Sequence, residues 1–344
     1  MEVSTGEIYK AIELEKFRGP LLIKEKQLRD LAEDEVLIKV ICGTIHPADF
    51  SFVKGTYGSN KPDLLPLVPG LEGSGLIIKV GSKIDSNMIG KRCSIFTDVT
   101  KPGQFQGLWA QYHYTKLENL LIFNTEVDYE KICYAFGNPF TACGFVDTVR
   151  KSNTNVLGLN AASSAFGRIL IRLCHKLGIK TVNIVRRQEH VENLKSLGAD
   201  YVFNSSDPNW EKEFQSVCKE LNLKIFFECV GGNSTGTVLK LLPPGSTMYH
   251  FGNLELKRLG NIDTSDFIFH KKVFKGWWCN VWMRSLNEEE HKYWTNLIVK
   301  EFENNSEIFE TTISKCFNLG EYNKAFEYYL GHMSEGKLIL KPNA

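Results

Sequence analysis

Short hydrophobic runs with interleaved polar positions fill the first third of the chain. This alternation is typical of half-buried β-strands. Glycines and prolines separate the runs, as expected where a chain turns between strands. The runs are EVLIKVIC (35–42), SGLIIKVG (74–81), KRCSIFTDV (91–99) and AQYHYTKLENLLIF (110–123). The pattern predicts a mostly β domain over residues 1–124.

From about residue 153, strand-like runs alternate with segments of helical spacing. The strand-like runs are TNVLGLN (154–160), KTVNIV (180–185), ADYVFNSS (199–206), LKIFFECVG (223–231), GSTMYHFGN (245–253) and KKVFKGWW (271–278). The helical segments between them are AFGRILIRLCHKLG (165–178), QEHVENLKSLG (188–198), NWEKEFQSVCKELN (209–222) and NSTGTVLKLL (233–242). Such alternation indicates βαβ units and a parallel sheet. We predict an α/β fold with a doubly wound, Rossmann-type sheet over residues 125–281, a design that binds dinucleotides.

The tail of the chain leaves this rhythm. NEEEHKYWTNLIVKEF (287–302) and GEYNKAFEYYL (320–330) have helical spacing, and GKLILKP (336–342) is strand-like. Because the nucleotide-type sheet lies in the middle of the chain, we expect residues 282–344 to complete the first, β domain. The cleft between the two domains is the expected active site.

Composition excludes several classes of protein. The 344 residues are 43% hydrophobic and 24% charged, which fits a globular protein with a large core and not a disordered one. A formal net charge of +1 provides no field for steering nucleic acid or an anionic membrane. No run approaches the ~20 apolar residues that cross a bilayer. The nine cysteines form no Cys-x-x-Cys pair, which favours a reducing compartment and buried free thiols.

A candidate phosphate-binding turn follows the first strand of the predicted sheet. The sequence Ala162-Ser-Ser-Ala-Phe-Gly167 lies where a dinucleotide fold places Gly-x-Gly-x-x-Gly. Gly167 is kept, while the small residues Ala162 and Ser164 occupy the first two glycine positions. Placed between a strand and a helix N-terminus, the turn predicts a pyrophosphate site. An ordinary βα turn in a sheet that binds nothing is the alternative.

The end of the second strand indicates which dinucleotide is bound. NAD-binding sheets usually place Asp or Glu there, whereas Arg suits the 2′-phosphate of NADP. Here the strand ends in Val185, Arg186 and Arg187, roughly 20 residues past the turn. The arginines predict NADPH as the cofactor, with two solvated strand-end arginines as the alternative.

Several segments, in this order, resemble those of the medium-chain dehydrogenase/reductases. GTYG (55–58), GNPFTACGF (137–145), NAASSAFG (160–167), TVNIVRR (181–187) and KGWW (275–278) resemble motifs of the zinc-free branch, which includes quinone oxidoreductases. Within it, the chain is most similar to the mitochondrial type of trans-2-enoyl-thioester reductase. The resemblance covers nearly the whole chain. It implies a GroES-like β domain beside the Rossmann domain.

Two positions of the sequence indicate whether the protein binds zinc. Zinc-dependent members have Cys at the position of His46, and His where this chain has Leu71, just before Glu72. Leucine cannot bind a metal, and Cys93 is not part of a cluster of four cysteines. We therefore expect no zinc and assign His46 to a loop or pocket.

The resemblance implies the residues of the site. Tyr57 would be the catalytic residue, polarising the substrate carbonyl and acting as an acid; a lid aromatic without chemistry is the alternative. Residues implied to contact NADPH are Asn138, Thr141, Ser163, Ser164, Ala165, Phe166, Gly167, Arg186, Arg187, Phe251, Gly252, Asn253, Trp277, Trp278 and Lys337. Asn138 could equally cap a helix that has Pro139 at its first position. Core packing is as good an explanation of Trp277 and Trp278.

Three functions remain open at this stage. They are an NADPH-dependent reductase of enoyl thioesters (enoyl-CoA or enoyl-ACP), a quinone or alkenal reductase, and a weakly active or inactive subunit of a larger assembly. The acyl thioester is the expected small-molecule partner, with acyl carrier protein as a further one; no nucleic-acid partner is expected. The resemblance implies mitochondria, although the N-terminus resembles neither a presequence nor a secretory signal, and the cytoplasm is the alternative. The apolar run KKVFKGWW would be an exposed edge in a monomer, so we expect a homodimer.

Overall fold

The structure, a computed structural model, describes residues 3–58, 65–97, 106–332 and 336–344. Two compact units divide the chain, one formed by Met1–Pro139 with Lys292–Ala344 and the other by Phe140–His291. The last two residues of the predicted strand 91–99 lie outside the described residues. Within the described part, no helix is both long and apolar enough to span a bilayer.

Strands and helices follow the predicted order. The strands are β1 (Ile8–Leu14), β2 (Leu21–Gln27), β3 (Val36–Ile45), β4 (Glu72–Val80), β5 (Arg92–Phe96), β6 (Tyr112–Thr115), β7 (Leu120–Phe123), β8 (Val156–Leu159), β9 (Lys180–Val185), β10 (Tyr201–Asn204), β11 (Ile225–Glu228), β12 (Thr247–His250), β13 (Val273–Gly276), β14 (Ile313–Asn318) and β15 (Lys337–Lys341). The helices are α1 (Pro47–Val53), α2 (Tyr129–Ile132), α3 (Gly137–Lys151), α4 (Ala165–Lys176), α5 (Glu189–Ser196), α6 (Trp210–Glu220), α7 (Gly232–Leu241), α8 (Thr264–Ile268), α9 (Cys279–Ser285), α10 (Glu288–Glu303) and α11 (Tyr322–His332).

The first unit is built on β-sheet. Its large sheet runs in the order β14-β15-β3-β4-β5-β7, with β6 also paired to β3, and β1 and β2 form a separate antiparallel pair. The C-terminal strand β15 pairs with β3, Leu338 opposite Ile45, so the tail of the chain is part of the sheet begun by its N-terminal third. This pairing joins residues from both ends of the sequence in one core, around Ile12, Trp109 and Phe317.

The second unit is a parallel sheet with helices. Among the described residues its strand order is β10-β9-β8-β11-β12-β13, and every pairing is parallel. Numbered from β8, this is the order 3-2-1-4-5-6 of a dinucleotide-binding sheet. The core on one face joins strand residues such as Phe226 and Met248 to Phe214 of α6 and Leu239 of α7. The predicted α/β class, with a Rossmann sheet and a β-rich GroES-like domain, is confirmed.

Helix α4, which follows β8, shows how the sequence determines the start, the buried face and the end of a helix beside this sheet. Ser164 caps its N-terminus, and Ile169, Leu170 and Leu173 form its fully buried face. The chain then leaves the helix at Gly178, whose φ of 69° is easily adopted only by a residue without Cβ. Cap, apolar stripe and terminal glycine were all visible in the sequence.

Candidate functional site

The candidate phosphate turn leads from β8 directly into α4. The Ser164 hydroxyl accepts the Gly167 N–H at 3.1 Å, and Arg168 Nε donates to the Ser163 carbonyl at 3.1 Å. Ser163, Ser164 and Ala165 are all partly exposed. The first turn of this twelve-residue helix therefore presents backbone N–H groups and the positive end of the helix dipole at the carboxyl edge of the sheet, an arrangement suited to an anion.

Gly167 allows the helix to approach the strand closely. A Cβ placed on it would lie 2.2 Å from the Ala162 carbonyl oxygen, far inside van der Waals contact. This is the role of the third glycine in the dinucleotide motif, close packing of helix against strand. Gly167, the one glycine of the motif that this chain keeps, therefore occupies a position where the nearby backbone leaves no space for a side chain.

Phe166 places its bulk against other aromatic rings. Its ring lies 5.3 Å from Phe145 of α3 in an edge-to-face arrangement and 5.4 Å from Phe251. Phe145 also stacks on Phe227 of β11. The large residue in the turn therefore joins an aromatic cluster that links α3, α4 and the loop after β12.

The two arginines that follow β9 differ in their contacts. Arg187 pairs with Glu189 at 3.2 Å and also reaches the ring of His190 at 2.9 Å. The exposed side chain of Arg186 has no hydrogen bond or ion pair within the described ranges, although its carbonyl accepts from Ser206. Of the two, Arg186 is the guanidinium available to a ligand phosphate.

The loop after β12 is tied to the neighbouring strand. The Phe251 N–H donates to the Glu228 carbonyl at 2.9 Å, and its ring packs edge-on against Phe145 at 4.8 Å. Asn253 donates from Nδ2 to the Lys257 carbonyl at 2.9 Å. Gly252 lies between them near the Cys229 side chain. These contacts hold residues 251–253 at the carboxyl edge of the sheet.

The two tryptophans after β13 occupy different positions. Trp277 packs on α3: its indole N–H donates to Thr148 Oγ1 at 3.2 Å, and a Cβ on Gly144 would lie 2.5 Å from its ring. Trp278 is the N-cap of α9, immediately before Cys279, and is also partly buried. Trp277 therefore contributes to packing through a ring that is still partly exposed.

A buried polar cluster lies in the first unit, at the end of β3. Glu72 Oε2 lies 2.7 Å from His46 Nε2, a close electrostatic contact without hydrogen-bond alignment. Lys337 Nζ lies 2.9 Å from His46 Nδ1. All three side chains are buried. We assign a neutral His46 ring that accepts from Lys337 at Nδ1 and carries its proton on Nε2, facing the Glu72 carboxylate.

Burial governs the ionisation of this cluster. It lowers the pKa of His46, the charge of Lys337 lowers it further, and contact with Glu72 opposes the shift. Burial also lowers the pKa of Lys337 against the opposing charges of Glu72 and Asp49. It raises the pKa of Asp49 to about 7, although that carboxylate accepts the N–H groups of His46 and Leu71. Perturbed groups of this kind mark candidate functional sites.

Glu72 also fixes the start of α3. Its Oε1 accepts the N–H of Phe136 at 2.6 Å and of Gly137 at 2.8 Å. Asn138 lies in the first turn of α3 and not at its cap, because the helix already begins at Gly137; Thr141 follows one turn later. In the sequence, His46 and Glu72 were connected only through the comparison with zinc-dependent relatives, and no pattern indicated that Lys337 joins them.

Tyr57 lies in the loop after α1. The two flanking glycines, Gly55 and Gly58, have φ of 72° and 70°, the left-handed region that glycine adopts without strain. The Tyr57 side chain is partly exposed. The backbone therefore turns on both sides of the ring.

Over 3–58, 65–97, 106–332 and 336–344, no group of three or more His, Cys, Asp and Glu side chains could hold a metal ion. The absence of zinc remains a prediction.

Comparison with known proteins identifies relatives of both units. The model described as alcohol dehydrogenase GroES-like domain matches residues 32–122, and the one described as zinc-binding dehydrogenase matches residues 165–296. The chain is 31% identical over 260 residues to the mitochondrial enoyl-[acyl-carrier-protein] reductase of Arabidopsis thaliana, a match that covers 74% of this chain and 67% of the relative.

Two solved structures share the fold. A Mesorhizobium loti protein described as an NADPH:quinone reductase superposes with a TM-score of 0.85 at 24% identity, covering 99% of this chain and 100% of the other. A complex of Etr1p with NADP and crotonyl-CoA superposes with a TM-score of 0.79 at 20% identity, covering 97% and 100%. At these identities the superpositions establish the fold alone.

Proposed function

This chain belongs to the medium-chain dehydrogenase/reductase superfamily as a relative of the mitochondrial-type enoyl reductases, and from this premise we propose that it reduces the double bond of a trans-2-enoyl thioester with NADPH. The observation that carries the proposal is the 31% identity to an enoyl-[acyl-carrier-protein] reductase over about three quarters of the chain. The oxidoreductase class follows from the superfamily. The substrate and the roles of residues are the proposal.

The residues of the second unit fit NADPH. The N-terminus of α4, capped by Ser164, presents N–H groups to a pyrophosphate. Arg186 follows β9 with an exposed, uncommitted side chain and suits a 2′-phosphate. The resemblance adds Asn138 and Thr141 beside the nicotinamide, and Lys337 as a further cofactor contact from the tail of the chain. When bound, NADPH would supply the hydride.

Tyr57 would supply the acid–base chemistry. Hydride addition to the β-carbon of an enoyl thioester moves negative charge onto the carbonyl oxygen, and the α-carbon must then gain a proton. A phenol donates one hydrogen bond and has a pKa near ~10 in water, so it can stabilise that oxygen and deliver a proton directly or through water. The Tyr57 side chain is partly exposed, as a substrate contact would require.

Partner and compartment follow from the same relatives. We propose that the acyl group arrives on coenzyme A or on acyl carrier protein, and that the protein acts in mitochondria, as the name of the Arabidopsis relative indicates for that enzyme. A fusion of the full natural chain to a fluorescent protein would test the compartment. Diffuse cytoplasmic signal would contradict it.

A steady-state assay tests the activity directly. Purified protein should oxidise NADPH in the presence of crotonyl-CoA and yield butyryl-CoA in equal amount. Parallel reactions with benzoquinone and without acceptor are the controls. Faster reduction of the quinone than of the thioester would replace the proposal with a quinone reductase. NADPH binding without turnover of either acceptor, or no binding at all, would favour a subunit without activity.

A further inference from the structure

A buried acid–histidine pair lies at the carboxyl edge of the nucleotide-type sheet. Glu228 ends β11 and is fully buried, and His250 ends the adjacent strand β12. Glu228 Oε2 lies 2.5 Å from His250 Nδ1. The pair was not among the residues singled out in the sequence, because neither residue belongs to a motif there.

Glu228 is held by hydrogen bonds on all sides. Its Oε1 accepts the N–H groups of Val230 at 2.9 Å and Gly231 at 2.8 Å, and Asn160 Nδ2 at 3.0 Å. Burial by itself would raise the pKa of Glu228, but the hydrogen bonds from His250, Gly231 and Asn160 outweigh it, and the pKa is lowered. Glu228 is therefore a carboxylate, so Nδ1 of His250 must carry the proton of their hydrogen bond.

The hydrogen bond to Glu228 uses Nδ1 of His250, so the other ring nitrogen, Nε2, does not take part in it. The His250 side chain is 23% exposed, whereas the Glu228 side chain is 0% exposed. Within the described part of the chain, no residue forms a hydrogen bond with Nε2. The ring is fixed by its bond to Glu228 and by packing against Phe274 at 5.7 Å. A rotationally fixed imidazole with one engaged and one accessible nitrogen is the arrangement of a binding group.

The network also joins the elements that would surround a dinucleotide. Asn160, which donates to Glu228, lies two residues before the candidate phosphate turn and accepts the Cys229 N–H at 2.9 Å. His250 directly precedes the loop 251–253. Asn160 follows β8 and Glu228 ends β11. These two strands are the central pair at which the strand order reverses, the place where such sheets bind ligands.

We propose that His250 is a cofactor-contact residue whose Nε2 binds a ribose hydroxyl on the nicotinamide half of NADPH, with Glu228 as the positioning residue. A hydroxyl both donates and accepts, so it fits Nε2 whether the ring is neutral or protonated. The proposal rests on the proposed NADPH dependence and adds a contact to it.

Two substitutions of His250 distinguish a contact with the cofactor from structural support of Glu228. In His250→Asn, the amide occupies the position of Nδ1 and can still donate to Glu228, but nothing replaces Nε2. In His250→Gln, the longer amide reaches the position of Nε2 and the donor to Glu228 is lost. Binding of NADPH and of 2′,5′-ADP, the adenine half of the cofactor, is measured by calorimetry for each variant and for the unmodified protein.

Loss of one hydrogen bond of this kind weakens affinity by roughly tenfold. We expect His250→Asn to raise the Kd for NADPH by about that factor while the Kd for 2′,5′-ADP is unchanged, and His250→Gln to raise the Kd for NADPH by less, because its amide replaces Nε2 although it gives up the positioning bond to Glu228. The reverse order, with Asn tolerated and Gln not, would assign His250 to support of Glu228 and overturn the proposal. Equal losses for both nucleotides would overturn it too.

If a variant fails to fold, a measurement on the unmodified protein still tests the proposal. With the histidines labelled by ¹⁵N, NADPH should shift the Nε2 resonance of His250 and 2′,5′-ADP should not. A resonance unmoved by bound NADPH would overturn the contact. If the unmodified protein binds no NADPH at all, the proposed cofactor fails first, and that result is distinct from failure of the His250 contact.

Discussion

Nζ of Lys337 lies 2.9 Å from Nδ1 of His46, although 291 positions separate them in the sequence. Both side chains are buried, and the other nitrogen of His46 faces Glu72. A lysine that the family resemblance implied as a cofactor contact thus has a partner inside the first unit. This suggests that its charge supports the start of α3, whose first N–H groups Glu72 holds.

Lys337→Met should destabilise the protein without any ligand. Removing the cation leaves the buried Nδ1 of His46 without its donor and takes an opposing charge away from the buried Glu72 and Asp49, and leaving a buried polar group unsatisfied costs about 1–3 kcal/mol. Urea unfolding of the free protein measures the change. Lys324→Met, which removes an exposed lysine paired with Glu321, is the matched control and should change stability by less than ~1 kcal/mol. If Lys337→Met leaves stability unchanged but weakens NADPH binding, Lys337 acts only as a cofactor contact.

Tyr57→Phe should remove most of the turnover on an enoyl thioester. It deletes one hydroxyl and little volume, and loss of one preorganised donor to an oxyanion lowers kcat by roughly 10²–10³-fold. NADPH affinity should barely change, since the proposed contact of the hydroxyl is with the substrate and not with the nucleotide. The measurement is kcat and KM with crotonyl-CoA. If both parameters match those of the unmodified protein, Tyr57 is a passive loop residue.

Arg186→Ala should reduce the preference for NADPH over NADH. An Arg–phosphate contact contributes on the order of 1.5–3 kcal/mol, so the Kd for NADPH should rise roughly ten- to a hundredfold while that for NADH stays constant. Arg187→Ala is the control: its guanidinium is already paired with Glu189 and His190, so the effect should be smaller. Fluorescence titration of both nucleotides measures the ratio, and an equal preference in the unmodified protein would contradict the assignment.

His113 should make the protein sensitive to acid. Burial lowers the pKa of this fully buried β6 residue from 6.5 to about 4. The unfolded chain therefore binds a proton that the folded protein does not between these values, so stability falls as pH decreases from about 6.5 towards 4. The loss amounts to about 3 kcal/mol.

A volume-conserving variant isolates this contribution. In His113→Leu, the stability measured by urea unfolding at a series of pH values should decline less steeply over that window. Parallel curves for variant and unmodified protein would show that other groups, such as His46, are responsible. Comparing slopes removes any constant packing effect of the substitution.

We expect two copies of the protein to form a dimer through the exposed edge of the second unit. β13 lies at the end of the strand order among the described residues, and Val273 on it and Phe269 before it are 44% and 76% exposed. Unprotected apolar edges pair with other chains, whereas a charge at the edge opposes pairing. Light scattering at micromolar concentration should give a dimer mass for the unmodified protein and a monomer mass for Val273→Lys. Ile89→Lys, at a 50% exposed apolar residue of the first unit, should remain dimeric; a monomeric unmodified protein would contradict the prediction.

Local chemistry was sufficient for the sequence to determine most strands and helices of the second unit. The run of strands and helices from 154 to 278 matches β8 to β13, because hydrophobic period, caps such as Ser164 and terminal glycines such as Gly178 act within one or two turns. The turn 162–167 was also recognisable, since the dinucleotide motif is contiguous. The β-rich character of the first unit followed from its alternating runs.

Only the tertiary structure decided which side chains meet. Lys337 reaches His46 because β15 pairs with β3, and no local pattern encodes a partner 291 positions away. Glu228 and His250 meet because parallel strands β11 and β12 end at the same edge in register. Trp277 packs on Gly144 because that helix position has no side chain to exclude the ring. Periodicity fixes which face of an element is buried, but the strand order and register fix its neighbours, and both come from closing the whole core.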